Sequence, residues 1–275
     1  MPAILLGSLG LLIGSFLNVV IYRLPLKLSI VSPPSACPHC GARIMGYDNI
    51  PVISWLVLRG KCRGCAEPIS ARYPLVELGT GLFFAVVVLR FWPAVFASGP
   101  TRANGAVTGA VLVLLAFLYL AAISIALALI DIDTHTLPNR IILPAYVVGA
   151  ALLGVAGILG GDGAALVRAA IGAAALWLAY AIMAFAYPGG MGFGDVKLAG
   201  VLGLFLGYLG WGQLIVGAFG AFLLGGVFSL ALVVLRRANR KSGIPFGPWM
   251  LGGAWIGVLV GAPIARGYLA LFGLT

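Results

Sequence analysis

Two aspartates are candidates for chemistry in this chain because carboxylates are scarce in it. Only seven of the 275 residues are acidic, and Asp131 and Asp195 lie where long uncharged apolar runs meet polar segments. A carboxylate at such a boundary is costly to desolvate and is therefore a functional candidate. If the two side chains face each other, like-charge repulsion and partial desolvation leave one protonated and one ionised. Such a pair can activate a water molecule and hydrogen-bond a developing oxyanion, which is the chemistry of an aspartic protease.

The segment around Asp131 contains a second candidate. An apolar run ends at Asp131, and Asp133 and His135 follow before Pro138 marks the approach to the next apolar run. The spacing alone does not decide between Asp131 and Asp133. His135 has no obvious serine or cysteine partner for a nucleophilic relay, so we interpret it as a loop residue.

The segment before Asp195 is rich in glycine. It reads Gly192-Phe193-Gly194-Asp195, and two more glycines stand just before it. Such a backbone has little steric shielding, so a peptide substrate could approach it main chain to main chain. A carboxylate at a predicted helix start could also simply complement the helix dipole. That alternative does not explain Asp131, which lies at the opposite kind of helix end.

All four cysteines lie in one polar, proline-rich and basic segment, about residues 24–72. They form two CxxC pairs, Cys37-Pro38-His39-Cys40 and Cys62-Arg63-Gly64-Cys65. In a reducing compartment, two matched pairs favour a structural zinc site with four thiolate ligands over disulfides or a redox motif. Four protein ligands leave no open position, so we expect the metal to hold the loop and not to act in catalysis. His39 is interpreted as a surface residue between two ligands.

The rest of the chain is typical of a membrane protein. With 62% hydrophobic and 9% charged residues, it has too much apolar surface for a soluble globule of its size. Seven apolar runs are long enough to cross a bilayer as helices: residues 3–22, 73–92, 107–130, 141–160, 165–187, 198–235 and 246–265. The sixth run is nearly twice too long for one crossing, so we interpret it as a hairpin that turns between Gly207 and Gln213.

These runs predict an all-α polytopic membrane protein of about eight transmembrane helices, with a zinc-knuckle loop between helices 1 and 2. Residues 1–23 are predicted to form the first helix, which is retained because neither a basic segment nor a small-x-small cleavage site accompanies it. Residues 24–72 form the loop, and residues 73–275 form a core of about seven helices.

Positive charge is distributed unevenly over the two sides of this eight-helix topology. One side collects Arg23, Lys27, Arg43, Arg59, Lys61, Arg63, Arg72, Arg140, Lys197, Arg236, Arg237, Arg240 and Lys241; the other has only Arg90, Arg102, Arg168 and Arg266. By the positive-inside rule the first side is cytoplasmic. The same alternation places Asp131, Asp195 and the cysteine loop on that face, with both termini outside the cytoplasm. Basic loops that face anionic lipid explain the net charge of +10 better than nucleic-acid binding does.

Further segments complete a pattern that spans nearly the whole chain in one order. Besides the CxxC pairs and the two aspartate segments, it includes Gly14–Pro25, Asn49-Ile50-Pro51, Arg72–Glu77 and Ile244–Pro248. Together these segments resemble the bacterial prepilin peptidases, the type IV leader peptidases that process type IV pilins and type II secretion pseudopilins. A GxGD segment alone would not be specific, whereas the ordered set is.

The resemblance implies a membrane aspartyl endopeptidase of the GxGD type. In that family the first catalytic carboxylate stands seven residues before the proline, which selects Asp131, and the second ends the GxGD motif, which is Asp195. Gly192 and Gly194 would support the active-site loop. Family enzymes cut a short basic leader from a hydrophobic helix, after a glycine and on the cytoplasmic side. The expected partners are prepilins or pseudopilins and membrane lipid, and the expected location is the bacterial inner membrane.

The same resemblance implies that the new N-terminal residue, typically phenylalanine, is N-methylated with S-adenosylmethionine. The sequence has no glycine-rich Rossmann fingerprint after a strand, so this second activity rests on resemblance alone. It implies a role for the zinc loop, and Gly60 matches a family position linked to methyl transfer. Asn139, where many members have Asp, departs from the pattern without touching the catalytic pair.

A transporter or channel is the alternative hypothesis, with the interfacial aspartates relaying protons or binding cations. It predicts further polar residues deep inside the spans, and membrane-central charge is nearly absent from this sequence. A non-catalytic membrane scaffold around the zinc loop would tolerate asparagine at both aspartates.

Overall fold

The structure is a computed structural model that describes residues 1–97, 104–187, 191–235 and 244–274. Arg102, Gly189, Gly190 and the basic residues from Arg236 to Lys241 lie outside the described residues. The described part is almost entirely helical, as predicted.

Eight α-helices of 17 residues or more occur in the described part of the chain, and the loop contains one short α-helix and one turn of 3-10 helix (Gly46–Asn49). In chain order the helices are α1 (Pro2–Arg23), α2 (Ile53–Val57), α3 (Arg72–Ala97), α4 (Asn104–Thr134), α5 (Asn139–Gly160), α6 (Gly163–Ala186), α7 (Phe193–Leu209), α8 (Trp211–Val234) and α9 (Gly247–Ala270). Seven are long and apolar enough to cross a membrane. The remaining long helix, α7, has 17 residues and spans about 25 Å. The predicted architecture is therefore confirmed.

The predicted hairpin in the long run 198–235 is also confirmed. α7 ends at Leu209, and α8 begins at Trp211. Gly210 between them has a φ of 149°, a backbone conformation that residues other than glycine rarely adopt. The turn therefore falls where glycines and aromatic residues interrupt the apolar run.

The described helices form two compact units, and each is treated by itself. The first unit comprises Met1–Pro93 and Leu118–Ala126, and it contains the cysteine loop. The second comprises Ala94–Phe117 and Leu127–Thr275, and it contains both candidate aspartates.

In the first unit, α1 packs closely on α3 through glycines. A Cβ atom on Gly10 would lie 2.9 Å from Phe84, and one on Gly14 would lie 2.7 Å from the Cα atom of Glu77. Small residues at this spacing let two membrane helices approach each other closely. The first turns of α3 are therefore held firmly against α1.

In the second unit, two pairs of helices pack backbone to backbone. Gly203 of α7 lies against Gly172 of α6, and Gly253 of α9 lies against Ala221 of α8, with no room for a Cβ atom at either glycine of α7 or α9. The Phe117 ring of α4 packs edge-on against the Phe205 ring of α7, with centroids 5.5 Å apart. This packing fixes α7 and α9, whose first turns belong to the candidate site.

Candidate active site and metal site

Asp131 lies in the last turn of α4, which continues beyond it to Thr134. The helix is therefore longer than the sequence predicted, because Thr134 Oγ1 donates to the Ile130 carbonyl at 2.8 Å and stabilises an extra turn. His135, with a φ of 51°, then ends the helix and donates its backbone N–H to the Asp131 carbonyl at 2.8 Å. The extension holds Asp131 inside a hydrogen-bonded turn. His135 is a loop residue, as predicted.

Burial distinguishes Asp131 from Asp133. Asp131 is 5% exposed, whereas Asp133 lies on the exposed side of the same helix, since helical residues two apart point in nearly opposite directions. Asp131 Oδ2 accepts the backbone N–H of Gly247, the first residue of α9, at 3.0 Å. A helix N-terminus favours a negatively charged acceptor. The structure thus gives Asp131 a specific partner in a buried position.

Asp195 is the third residue of α7 and is 9% exposed. Its Oδ2 accepts the backbone N–H of Gly192 at 3.1 Å, so it caps its own helix as the simpler interpretation proposed. Capping alone is compatible with an exposed side chain. It does not explain why this carboxylate is buried.

Leu137 connects the two aspartate segments. A Cβ atom on Gly194 would lie 2.9 Å from the Leu137 Cβ, and one on Gly247 would lie 3.3 Å from the Leu137 Cδ2. The residue before Asp195 and the residue that donates to Asp131 therefore contact the same side chain. The structure brings together two carboxylates that are far apart in the chain.

The sequence pattern included the segment Ile244–Pro248 but gave Gly247 no role, and it did not indicate the aromatic cluster that positions this glycine. The ring of Phe246 lies 6.3 Å from that of Tyr180 and 5.6 Å from that of Phe222, measured between centroids. This cluster fixes the start of α9 and therefore the Gly247 N–H that reaches Asp131. The available signal was the glycine between a phenylalanine and a proline at the predicted start of the last span.

Lys197 ties the first turn of α7 to α5. Its Nζ donates to Asn139 Oδ1 at 3.0 Å, and its backbone carbonyl accepts the Tyr146 hydroxyl at 2.6 Å. Lys197 lies two residues after Asp195 and so projects from the opposite side of α7. It supports the helix from behind, and Asn139 has a structural role in this contact.

The four cysteines form one cluster, with sulfur atoms all within 4.8 Å of one another. The Sγ atoms of Cys37 and Cys65 are 3.8 Å apart, and those of Cys40 and Cys62 are 4.0 Å apart. A tetrahedral Zn²⁺ with bonds of about 2.3 Å separates its sulfurs by about 3.8 Å, whereas the sulfurs of a disulfide are about 2.05 Å apart. The cluster therefore has the spacing of a metal site, and none of the four cysteines is in a disulfide.

The two CxxC pairs fold as matched knuckles. The backbone N–H groups of Cys37 and Cys62 each donate to the carbonyl five residues later, at 2.9 and 2.8 Å. Gly41 and Ala66 follow the second cysteine of each pair and have φ values of 69° and 58°. The same left-handed bend thus closes both knuckles, although only the first has the glycine that this conformation favours.

The first knuckle also favours a thiolate. Backbone N–H groups of Cys40 and His39 hold the pKa of the Cys37 thiol below its usual range, as suits a metal ligand. The His39 ring itself is exposed and lies 3.6 Å from the Glu67 carboxylate. His39 is therefore a surface residue, as predicted.

Comparisons with known proteins cover most of the chain. Residues 8–91 match the Bacterial Peptidase A24 N-terminal domain, and residues 118–230 match the Type IV leader peptidase family. The chain is 38% identical to a prepilin leader peptidase/N-methyltransferase of Aeromonas hydrophila, over 96% of this chain and 92% of that protein. It is 34% identical to one of Pseudomonas aeruginosa, with the same shares covered. The chain belongs to the type IV leader peptidase family.

Membership in this family confirms the resemblance seen in the sequence. Both relatives are named as enzymes, so they give no support to the transporter hypothesis. Together with the seven candidate spans, they indicate a protein of the inner membrane. The comparison with solved structures found no match.

Gly60, which the sequence resemblance links to methyl transfer, is buried in the loop. It has a φ of 67°, and a Cβ atom there would lie 2.9 Å from the Trp55 ring. Its N–H donates to the Trp55 carbonyl at 2.8 Å, and the indole Nε1 donates to the Ile69 carbonyl at 3.0 Å. The packing of Trp55 therefore accounts for glycine at this position without a cofactor contact.

Proposed function

We propose that this protein is a membrane aspartyl endopeptidase in which Asp131 and Asp195 form the catalytic dyad. Its substrates are type IV prepilins and type II secretion pseudopilins, whose leader it removes after a glycine. The observation that carries this proposal is the pair of buried carboxylates, each bonded to one backbone N–H, whose segments both contact the Leu137 side chain. The names of the relatives support prepilins as substrates, and the sequence resemblance adds pseudopilins and the cut after a glycine.

The chemistry follows from a dyad that shares one proton. The hydrogen bonds from Gly247 and Gly192 use Oδ2 of each aspartate, so each Oδ1 is assigned to water and substrate. The ionised aspartate takes a proton from water, and the resulting hydroxide attacks the scissile carbonyl carbon. The protonated aspartate donates a hydrogen bond to the developing oxyanion. The C–N bond then breaks as the leaving nitrogen receives a proton from the dyad.

The active site faces the cytoplasm in this proposal. The uneven distribution of Lys and Arg supports that orientation. A basic leader would stay in the cytoplasm while the hydrophobic helix of the substrate lies in the bilayer. The scissile bond would then lie at the membrane boundary, where α4 ends and α7 begins.

We also propose that residues 24–72 form the part associated with methyl transfer and residues 73–275 the peptidase core. Cys37, Cys40, Cys62 and Cys65 would hold a structural Zn²⁺, and their sulfur spacing fits that ion. The metal would stabilise a loop that has few buried side chains of its own. S-adenosylmethionine would supply the methyl group for the new N-terminal amine. Gly60 would support this step through its packing with Trp55.

The test separates the two activities. The purified protein in liposomes would be given an intact prepilin or an already cleaved pilin, and leader loss and methyl gain would be followed by mass spectrometry. Asp131→Asn and Asp195→Asn should each lower cleavage by about a thousandfold and should still methylate the cleaved pilin. Asp133→Asn, the matched control on the exposed side of α4, should cleave normally. Cleavage at the wild-type rate by either dyad variant would show that the dyad is wrongly assigned.

A further inference from the structure

Glu77 is a third buried carboxylate among the described residues, and the proposed peptidase chemistry does not use it. It lies in the second turn of α3 and is 9% exposed. Its Oε2 accepts the backbone N–H of Val52 at 2.7 Å, within the first unit. Placing a carboxylate in a buried position of a membrane helix is costly. The short hydrogen bond between this buried carboxylate and the loop backbone therefore indicates a functional role for Glu77.

The residue that Glu77 binds is strained. Val52 has φ 61° and ψ −49°, and the N–H of Ile53 donates to the Pro51 carbonyl at 2.6 Å. This is a γ-turn with a positive central φ, a rare and strained form. A β-branched residue with positive φ is a steric outlier. Such strain persists only where the surrounding structure imposes it, and it is concentrated at functional sites.

The strained turn leads directly into the part of the loop that contains Gly60. Val52 precedes α2, and α2 carries Trp55. The Trp55 ring packs on Gly60, which stands two residues before the second CxxC pair. A displacement of the turn therefore reaches Gly60 through one short helix and one side chain.

Glu77 itself lies on a rigid part of α3. The close approach of Gly14 fixes the backbone at Glu77, and Asn18 Nδ2 donates to the Tyr73 carbonyl at 3.1 Å, one turn earlier. The carboxylate is thus a fixed point on α3, and the loop is the part that it holds. This arrangement transmits the position of a membrane helix to the loop.

We propose that Glu77 is a positioning residue for methyl transfer: its carboxylate holds the strained Val52 turn and, through α2 and Trp55, places Gly60 and the second cysteine pair. The proposal rests on the proposed role of the loop in methyl transfer. Peptide-bond cleavage does not depend on it.

The test uses three variants chosen from this geometry. Glu77→Ala removes the acceptor, and Glu77→Gln keeps an oxygen within reach of the Val52 N–H. The double variant Glu77→Ala with Val52→Gly removes the steric strain, because glycine adopts positive φ freely, so the turn no longer needs its anchor. Val57→Ala, which changes an exposed residue at the end of α2, is the matched control.

Four quantities are measured in nanodiscs: methylation of a cleaved pilin (kcat, and KM for S-adenosylmethionine), prepilin cleavage, zinc content, and amide hydrogen exchange of residues 50–60. Glu77→Ala should lower the kcat of methylation by about tenfold or more and speed exchange of the segment, since a charge-assisted hydrogen bond is lost. Cleavage and zinc content should stay within about twofold of the wild type, as should all four quantities in Val57→Ala. Glu77→Gln and the double variant should restore most of the methylation kcat and most of the slow amide exchange of the wild type.

Several results would overturn the proposal. One is unchanged exchange or unchanged methylation in Glu77→Ala, and another is a double variant no better than Glu77→Ala. A Glu77→Gln variant with wild-type exchange but without methylation would assign the carboxylate a chemical role instead of a positioning role. If the wild-type protein cleaves but does not methylate, the proposed methyl transfer fails, and the exchange data still decide whether Glu77 holds the loop.

Discussion

Gly247→Ala tests the contact between α9 and Asp131. The new Cβ atom would lie 2.7 Å from Asp131 Oδ2 and 3.3 Å from its Cγ, so the carboxylate must move by about 0.7 Å to reach an ordinary contact distance. The same oxygen accepts the Gly247 N–H at 3.0 Å, and a hydrogen bond to a charged group contributes about 1.5–3 kcal/mol. Since a displacement of 1 Å can cost about a hundredfold in rate, we expect kcat for cleavage to fall about thirtyfold, or about 2 kcal/mol.

The assay for Gly247→Ala is prepilin cleavage in liposomes under saturating substrate, with methylation of a cleaved pilin measured in parallel. Methylation should be unchanged, because the loop does not depend on this contact. Gly267→Ala is the matched control, since it lies on the same helix and a Cβ atom there would meet nothing within 4 Å. Wild-type cleavage by Gly247→Ala, or an equal loss in Gly267→Ala, would refute the reasoning.

Three further predictions concern the glycine motif and the knuckles. Gly194→Ala should lower the cleavage rate by about tenfold or more, because its Cβ atom would lie 2.9 Å from Leu137. Gly192→Ala should keep most activity, because its Cβ atom would lie 3.4 Å from its nearest neighbour. Equal cleavage rates in the two variants would contradict this prediction. Zinc chelation should abolish methylation and make the loop sensitive to added protease, while prepilin cleavage continues. Loss of prepilin cleavage at the same chelator concentration would argue against a loop that is separable from the peptidase core. Ala66→Gly should stabilise the metal-bound loop by about 0.5–1 kcal/mol, and Gly41→Ala should destabilise it, because both residues have a left-handed backbone conformation that favours glycine. Chelator titrations in which Ala66→Gly loses the metal more easily than Gly41→Ala would count against matched knuckles.

Much of the architecture could be predicted because hydropathy acts over whole helices. Apolar runs of bilayer length predicted the long helices, and the split of the run 198–235 followed from its excess length and from the glycines at its centre. The cysteine cluster was predictable for a different reason. Two CxxC pairs restrict their own sulfur geometry, so the spacing alone indicates a metal site.

The contacts that complete the candidate site could not be predicted, because they join residues far apart in the chain. Nothing near Asp131 indicates that the N–H of Gly247 will reach it, and nothing near Val52 indicates an anchor at Glu77. The end of α4 was misplaced for a local reason, since Thr134 bonds back to the Ile130 carbonyl and prolongs the helix. The burial that distinguishes Asp131 from Asp133 follows from that extra turn.

The most direct test of the central claim is the value of kcat/KM for prepilin cleavage in Asp131→Asn, Asp195→Asn and the double variant. Two residues that act as one catalytic unit give losses that do not add. We predict that each single variant loses about as much activity as the double variant, while all three bind zinc and methylate a cleaved pilin. Losses that multiply in the double variant, or wild-type cleavage in either single variant, would contradict a catalytic dyad of Asp131 and Asp195.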